Sequence, residues 1–342
     1  MSKARELAEL GAAYDSGALS NRNIIINGAF TVAQRATSVS SSTTAGYNTV
    51  DRFRVNVSGA TFNQSQQTVT VGGETGLPTQ FTKFLRHECT TGNDNHFIIT
   101  RIEDVAKFQG NMILSFYAKG SNPSTLGKLS VKFHQHFGSG GSSDVYTTAQ
   151  DLTLTGTWQR FTFNVTMASI TGKTVGAGNY GGVLFGQDTN ASTEAWTLDI
   201  TGVQLEVGTE ATPFEHRSYG DELARCFRYF ERYIYASGSM QVALQASTTT
   251  GTFNLDYSEK RADPTVTLPT NAVSSGVNIM SLLTSAGAFR SSAGSASADR
   301  ICRNNARITM TGYSASGAVG DATWAYFSTT SGDSYVDLDA EL

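Results

Sequence analysis

The chain is short of charge, of cysteine and of long apolar runs, and each shortage removes a class of protein. Charged residues make up only 16% of its 342 residues, and the net charge is −4. No basic run exists to neutralise phosphates, which argues against nucleic acid as the main partner. No window approaches the length of apolar chain that a membrane-spanning helix needs. The opening MSKARELAEL is charged and lacks an apolar core, so it does not read as a signal peptide. Cys89, Cys226 and Cys302 are odd in number and far apart. That fits free thiols made in a reducing compartment better than a disulfide scaffold or a zinc site.

Catalytic signatures are missing as well. There is no GxSxG elbow, and the five histidines fall into no triad order. Carboxylates are too few to nominate a glycosidase pair. No enzyme activity, catalytic residue or cofactor is expected. Gly176, Gly178 and Gly181 spell GxGxxG, but the following GGVLFG reads as a strand and no βαβ period surrounds it. A glycine-rich turn is the reading. His134 and His136 form an HxH pair that would share one face of a strand. Two imidazoles so placed can contribute to a metal site, but no obvious carboxylate or cysteine completes a set within one chain. They read as partly exposed strand histidines, and no metal is expected.

What the chain does have is 34 Gly, 19 Phe and 13 Tyr, with abundant serine and threonine. β-Branched and aromatic residues favour strands, and Gly and Ser clusters supply turns. The reading is all-β. Strand-like runs recur at 24–26, 51–57, 67–71, 83–88, 97–102, 111–118, 128–137, 147–153, 160–165, 182–185 and 197–207. Short strands at this spacing suggest a sandwich or jelly roll. ILSFYAKG at 113–120 and TWQRFTFNVTM at 157–167 alternate as a two-sheet sandwich requires.

The segment GVQLEVGTEATPFEHRSYGDELARCFRYFERYIY, 202–235, reads as a last strand running into a helix. Val203, Leu205 and Val207 alternate with Gln204, Glu206 and Gly208, the period of a half-buried strand. Thr212 and Pro213 then carry the chain off the sheet. Ser218 with Asp221 makes an N-cap signature of the capping-box kind. Leu223, Phe227, Phe230 and Ile234 follow at helical spacing, so a linking helix is predicted over 217–235. Arg225, Arg228 and Arg232 would share its face, open to solvent or to acidic groups of a neighbouring subunit.

Beyond it, 240–244, 252–255, 306–311, 322–328 and 334–338 read as strands. Pro264 and Pro269 confine 259–269 to a sheet edge, and 281–299 is a loop or weak strands. This second unit, 236–342, is small and poor in large aliphatics, a kind of unit that needs partner surface, so an oligomer is expected. At the other end, Ala4, Leu7 and Ala8 would share one face of a helix too short to stand alone. Residues 1–20 read either as an arm that orders against a partner or as a frayed terminus.

Three ordered motifs carry a family likeness: NRNIIINGAFTVAQRATS at 21–38, GYNTVDRFRV at 46–55, and the 202–235 segment. They resemble a group of tailed-bacteriophage structural proteins, often tail-fibre or fibre-like. In that group a carbohydrate-binding-module-like jelly roll ends in GVQLEVG, an ATPFEHR connection and an ELARCxRYF helix. The resemblance implies a jelly-roll β-sandwich at 21–216, a linking helix at 217–235 and a small C-terminal β-domain at 236–342. It implies a virion protein, made in the host cytoplasm, that adheres to host-surface glycans. The alternative is a capsid-side head fibre, vertex or decoration protein using the jelly roll as a scaffold. It further implies a homotrimer that meets other virion proteins through the arm bearing Ala4, Leu7 and Ala8. A tailspike depolymerase would show long β-helix repeats, which are absent.

Carbohydrate sites stack aromatic faces on sugar rings and bond hydroxyls with Asn, Asp, Gln and Arg. The candidates are Tyr180, Trp196, Tyr146 and Tyr47 in the first domain, and Tyr313, Trp324 and Tyr326 in the second. Each is weighed against a plain core role, which Trp158 and Phe161 are expected to fill. Some jelly rolls of this kind hold a structural calcium. Asp199 matches the acidic position of the last strand, but Thr31 stands where a Glu is usual, so one oxygen ligand of the right charge is missing and calcium is left open.

Overall fold

The computed structural model describes residues 21–342 except 71, 93–95, 123–128, 188–193, 270–278, 284–294, 312–318 and 329–333. The predicted arm with Ala4, Leu7 and Ala8, and the candidate Tyr313, lie outside the described residues. The chain divides into two compact units, one running through Leu223 and taking in Leu342, the other Ala224–Glu341.

In the first unit the strands are β1 (Ser38–Ser42), β2 (Phe53–Asn56), β3 (Thr61–Thr68) and β4 (Lys83–Thr91). Next come β5 (His96–Glu103), β6 (Gly110–Ser121), β7 (Leu129–His136) and β8 (Val145–Tyr146). β9 (Gln150–Asp151), β10 (Gln159–Met167), β11 (Tyr180–Gln187) and β12 (Trp196–Val207) complete it. They form two antiparallel sheets, ordered β1-β3-β4-β12-β6-β10 and β2-β5-β11-β7-β8, with β9 also beside β7. This is the all-β sandwich the composition called for. The core lies between the sheets because side chains alternate along each strand. Leu114, Phe116, Leu198 and Ile200 project from one sheet to meet Ile98, Val131, Phe133, Val183 and Phe185 from the other.

The two ends of this unit are knitted together. Ile24 N–H donates to Leu205 O (3.1 Å), and Val203 N–H donates to Gly28 O (2.9 Å). Asn23 does part of a neighbouring strand's work with its side chain. Its Nδ2 donates to Val203 O (3.0 Å), and its Oδ1 accepts from Leu205 N–H (3.1 Å) and Ile25 N–H (3.0 Å). Residues 24–26 therefore lie along β12 without becoming the strand expected there. A Cβ on Gly28 would come within 2.0 Å of Val203 O, so only glycine fits.

The polar side of β12 is not solvated, contrary to the half-buried reading. The chain leaving the strand folds back across it. Glu215 N–H donates to Gln204 Oε1 (2.7 Å) and Thr212 Oγ1 donates to Glu206 Oε1 (2.5 Å). Glu215 in turn accepts from the backbone N–H groups of Asn21 (2.6 Å) and Asn23 (2.8 Å). Buried polar groups must find partners, and here the ATPFEHR connection supplies them.

One helix, α1 (Tyr219–Phe227), follows. Its predicted cap is present: Ser218 Oγ accepts from Asp221 N–H (3.1 Å) and donates to Asp221 Oδ2 (2.7 Å). Such a cap contributes about 1 kcal/mol. The helix does not reach residue 235 as predicted. Residues 230–235 instead form β13 (Phe230–Tyr235), antiparallel to the chain's last strand. Phe, Tyr and Ile suit a pleated half-buried surface, and the partner strand lets Phe230, Tyr233 and Tyr235 bury area that a lone helical turn could not, while Ile234 stays exposed. The arginine face is corrected with it. Arg232 lies on β13 opposite Asp337, bonded through Nε (2.6 Å) and Nη2 (2.7 Å) within the same chain.

The second unit adds β14 (Met240–Ser247), β15 (Thr250–Asp256), β16 (Thr265–Thr267) and β17 (Ile279–Leu283). It ends with β18 (Ser295–Asp299), β19 (Asn305–Thr311), β20 (Ala322–Ser328) and β21 (Ser334–Asp339). A three-stranded sheet β13-β21-β16 accompanies a six-stranded sheet β17-β20-β14-β15-β19-β18. Phe253, Ile308, Met310, Phe327, Val336 and Leu338 form its core, where Tyr235 stacks on Phe327 at 3.8 Å. Lys260 is wholly buried, held by Glu231 at 2.5 Å. Among the described residues no helix is long and apolar enough to cross a membrane.

Candidate binding groove

The sheet β2-β5-β11-β7-β8 turns one face to the core and the other outward. Antiparallel register aligns the outward side chains in rows. One row runs Arg54, Ile99, Leu184, Lys132, and the next Arg101, Gly182, His134, Tyr146. A third runs Glu103, Tyr180, His136. Asn56 and Phe97 stand opposite each other at the far end. An open depression of about 580 Å³ lies on this face, lined among others by Arg54, Asn56, Phe97, Arg101, Lys132 and Tyr146. Gly182 keeps the middle low: a Cβ there would meet Ile99 Cδ1 at 3.0 Å and His134 Cβ at 3.4 Å.

The lining is cationic and aromatic. Arg54, Arg101 and Lys132 all border the depression. Burial, reinforced by the neighbouring Arg101 guanidinium, pulls the Arg54 pKa below its ordinary value. A guanidinium starts so high that it stays charged. Arg101 lies 4.6 Å over the Tyr180 ring. Asn56 Oδ1 is buried and has no hydrogen-bond partner among the described residues, an unusual state for a buried acceptor. Tyr146 is 53% exposed and stacks on His134 with ring centroids 4.1 Å apart and planes 7° apart.

His134, His136 and Asp144 meet at the groove's edge. His134 Nε2 lies 2.8 Å from Asp144 Oδ2, and His136 Nδ1 lies 2.9 Å from Asp144 Oδ1. Burial lowers the His134 pKa although Asp144 opposes it, and the ring N–H donates to the carboxylate. Burial opposes ionisation of Asp144, but the bonds from His136 and His134 outweigh it and hold the carboxyl below the usual range. The expectation that no carboxylate completes the HxH pair is therefore corrected. Asp144 arrives by way of the loop after β7. That loop is pinned by the glycine-rich turn: Ser139 N–H donates to Ala177 O and Ser142 N–H to Thr174 O, both at 2.9 Å. A Cβ on Gly176 would sit 2.0 Å from Ser139 O, so the glycine allows the close approach. β11 follows directly, as the reading of GGVLFG as a strand required.

The predicted aromatics scatter. Trp196 is only 1% exposed, its ring packed beside those of His87 (5.3 Å) and His96 (5.2 Å), so it is core and offers no face to a sugar. Tyr180 is 7% exposed and supports the groove floor between Arg101 and the two histidines. Trp324 and Tyr326 lie on β20 of the second unit and do not line the depression. Among the described residues, Tyr146 alone of the named aromatics combines exposure with a place on the groove. Trp158 is buried, as expected. Asp199 engages both carboxylate oxygens with Arg86 (2.8 and 2.7 Å). Arg54, Asn56, Phe97, Arg101 and Lys132 were not nominated from the sequence. Their signal was the alternate position on each strand, which is silent until the register between strands is known.

No protein-family model matches the chain, and no curated protein matches it. Solved structures similar to part of it include several carbohydrate-binding modules. One is the N-terminal cellulose-binding domain of a Cellulomonas fimi β-1,4-glucanase. It shows 17% identity over 43% of this chain and 90% of that one, with a TM-score of 0.29. Another is a family 11 carbohydrate-binding module of a Clostridium thermocellum cellulase, at 12% identity over 53% and 99%, TM-score 0.30. A third is the enzymatically active domain of tailspike protein 4 of bacteriophage CBA120. It shows 11% identity over 54% of this chain and 21% of that one, TM-score 0.29.

Proposed function

We propose that the chain is a fibre-like structural protein of a tailed-phage virion, and that its sandwich adheres to host-surface glycans through the groove on β2-β5-β11-β7-β8. The observation that carries the binding role is the groove's lining: an exposed tyrosine and three cations. A pyranose face would cover Tyr146, which is 53% exposed. Arg54, Arg101 and Lys132 favour glycans bearing carboxylates, since paired charges at a partly desolvated site strengthen hydrogen bonds. The virion assignment rests on the motifs at 21–38, 46–55 and 202–235. Residues 1–20, with Ala4, Leu7 and Ala8, would dock to the particle.

Self-association accompanies this reading. Met240, Val242 and Leu244 alternate along β14, each more than half exposed. Tyr326 and Trp324 stand directly opposite Met240 and Val242 on β20. An apolar stripe of this kind suits burial against further copies of the chain, for which a homotrimer is the proposed state. Several copies facing one surface would turn weak sites into avid ones.

A glycan array on the soluble protein tests the adhesin role. Retention is expected on acidic glycans, falling with added salt, and at least tenfold weaker for Tyr146→Ala. Uniform silence of the unmodified protein would instead favour a scaffold role on the capsid side.

A further inference from the structure

We propose that His134, His136 and Asp144 bind one divalent transition-metal ion of the zinc class. The inference is independent of glycan binding and rests on the geometry of the cluster. One ligand atom from each residue falls within 4.8 Å of the others. The two histidines project from the same face of β7, two residues apart, so the strand sets their spacing. Tyr146 stacked on the buried His134 ring fixes that ring's plane. Asp144 comes from a loop anchored at 139–142 to the 174–177 segment, so the third ligand is positioned as well.

Two imidazoles and a carboxylate suit zinc, cobalt, nickel or copper; calcium and magnesium prefer all-oxygen sets. Zinc holds its ligands at about 2.0–2.2 Å in a tetrahedron. Its donors are then a few tenths of an ångström further apart than the 2.8 and 2.9 Å now separating the imidazole nitrogens from Asp144. Asp144 and His136 are both about one-third exposed and can make that adjustment. The ion would replace the two N–H···O contacts, each neutral ring carrying its proton on the other nitrogen. Three protein ligands leave a further position for water, as in three-ligand zinc sites generally. The nearby Arg101 guanidinium disfavours positive charge at His134 and limits the affinity.

The test uses the full chain, stripped with a chelator and titrated with zinc chloride by calorimetry. One zinc ion per chain is expected. Binding should weaken at least tenfold in His136→Ala and in Asp144→Asn, while His216→Ala leaves it unchanged and calcium chloride gives no saturable heat. Cobalt should produce visible d–d absorption on the unmodified protein that zinc abolishes, a readout needing no variant. Absence of one-per-chain zinc uptake, or of the cobalt band, overturns the proposal. So does undiminished uptake by the His136→Ala, Asp144→Asn double variant, which would leave the cluster as a hydrogen-bonded loop clamp.

Discussion

At the residue scale, the most unusual pair is His87 on β4 and His96 on β5, facing each other across the sandwich with Nε2 atoms 2.9 Å apart. Both are fully buried. Burial, joined by the neighbouring His96, drives the His87 pKa well below its ordinary value, and burial lowers that of His96 to about 4. Two charged imidazoles could not share this site, so both are neutral when the protein is folded at neutral pH. The unfolded chain takes up their protons first, near pH 6.5, and therefore binds more protons than the folded one. Stability is then full above pH 6.5 and falls as pH drops towards 4, by about 1.4 kcal/mol per pH unit for each histidine. Urea unfolding at pH 7.5, 6 and 5 should show this slope, and His96→Gln should flatten it relative to the unmodified protein. An equal slope in both proteins would show that the pair does not govern the acid response.

At the scale of elements, 218–235 shows two local signals competing. Leu223, Phe227, Phe230 and Ile234 keep a helical period, and Ser218 starts a helix that is real. From Phe230 onward the same residues also satisfy strand preferences, and β21 offers a partner. Tertiary pairing then outweighs a propensity difference of under 1 kcal/mol per residue. Arg232 and Asp337, each under one-fifth exposed, become a cross-strand ion pair, with the guanidinium 4.0 Å over Tyr335. A double-mutant cycle of Arg232→Ala and Asp337→Ala should give a coupling of about 1 kcal/mol. Because both partners belong to one chain, that coupling should not change with protein concentration. A coupling that appears only in the oligomer would instead place the pair between subunits.

At the scale of the whole molecule, the apolar stripe on the second unit sets the expectation for assembly. Glutamates at Val242 and Leu244 would put charge into any interface formed there, which is strongly unfavourable when unpaired. Both side chains are already exposed in the single chain, so folding should survive. Sedimentation analysis should show a trimer for the unmodified protein and a shift to monomer of at least tenfold in dissociation constant for Val242→Glu, Leu244→Glu. A monomeric unmodified protein would remove self-association from the proposed function.

Low charge, many β-branched and aromatic residues and frequent Gly and Ser clusters were sufficient for the all-β class and for most strand positions, because alternation and turn chemistry are local. The Ser218 cap was legible for the same reason. The paired motifs at 21–38 and 202–217 could be read as motifs, but not as the contacting halves of one clasp, since nothing local reports that Asn23 bonds Leu205. The groove was harder still. Arg54, Arg101, His134 and Tyr146 are dispersed along the chain and become neighbours only through strand register. Asp144 joins His134 and His136 only because glycines at 138, 140 and 141 turn the loop back. Trp196 failed as a sugar candidate because chemistry alone cannot distinguish a face turned to the core from one turned to solvent. That choice belongs to the packing of two sheets, where burial area and not residue type selects the side.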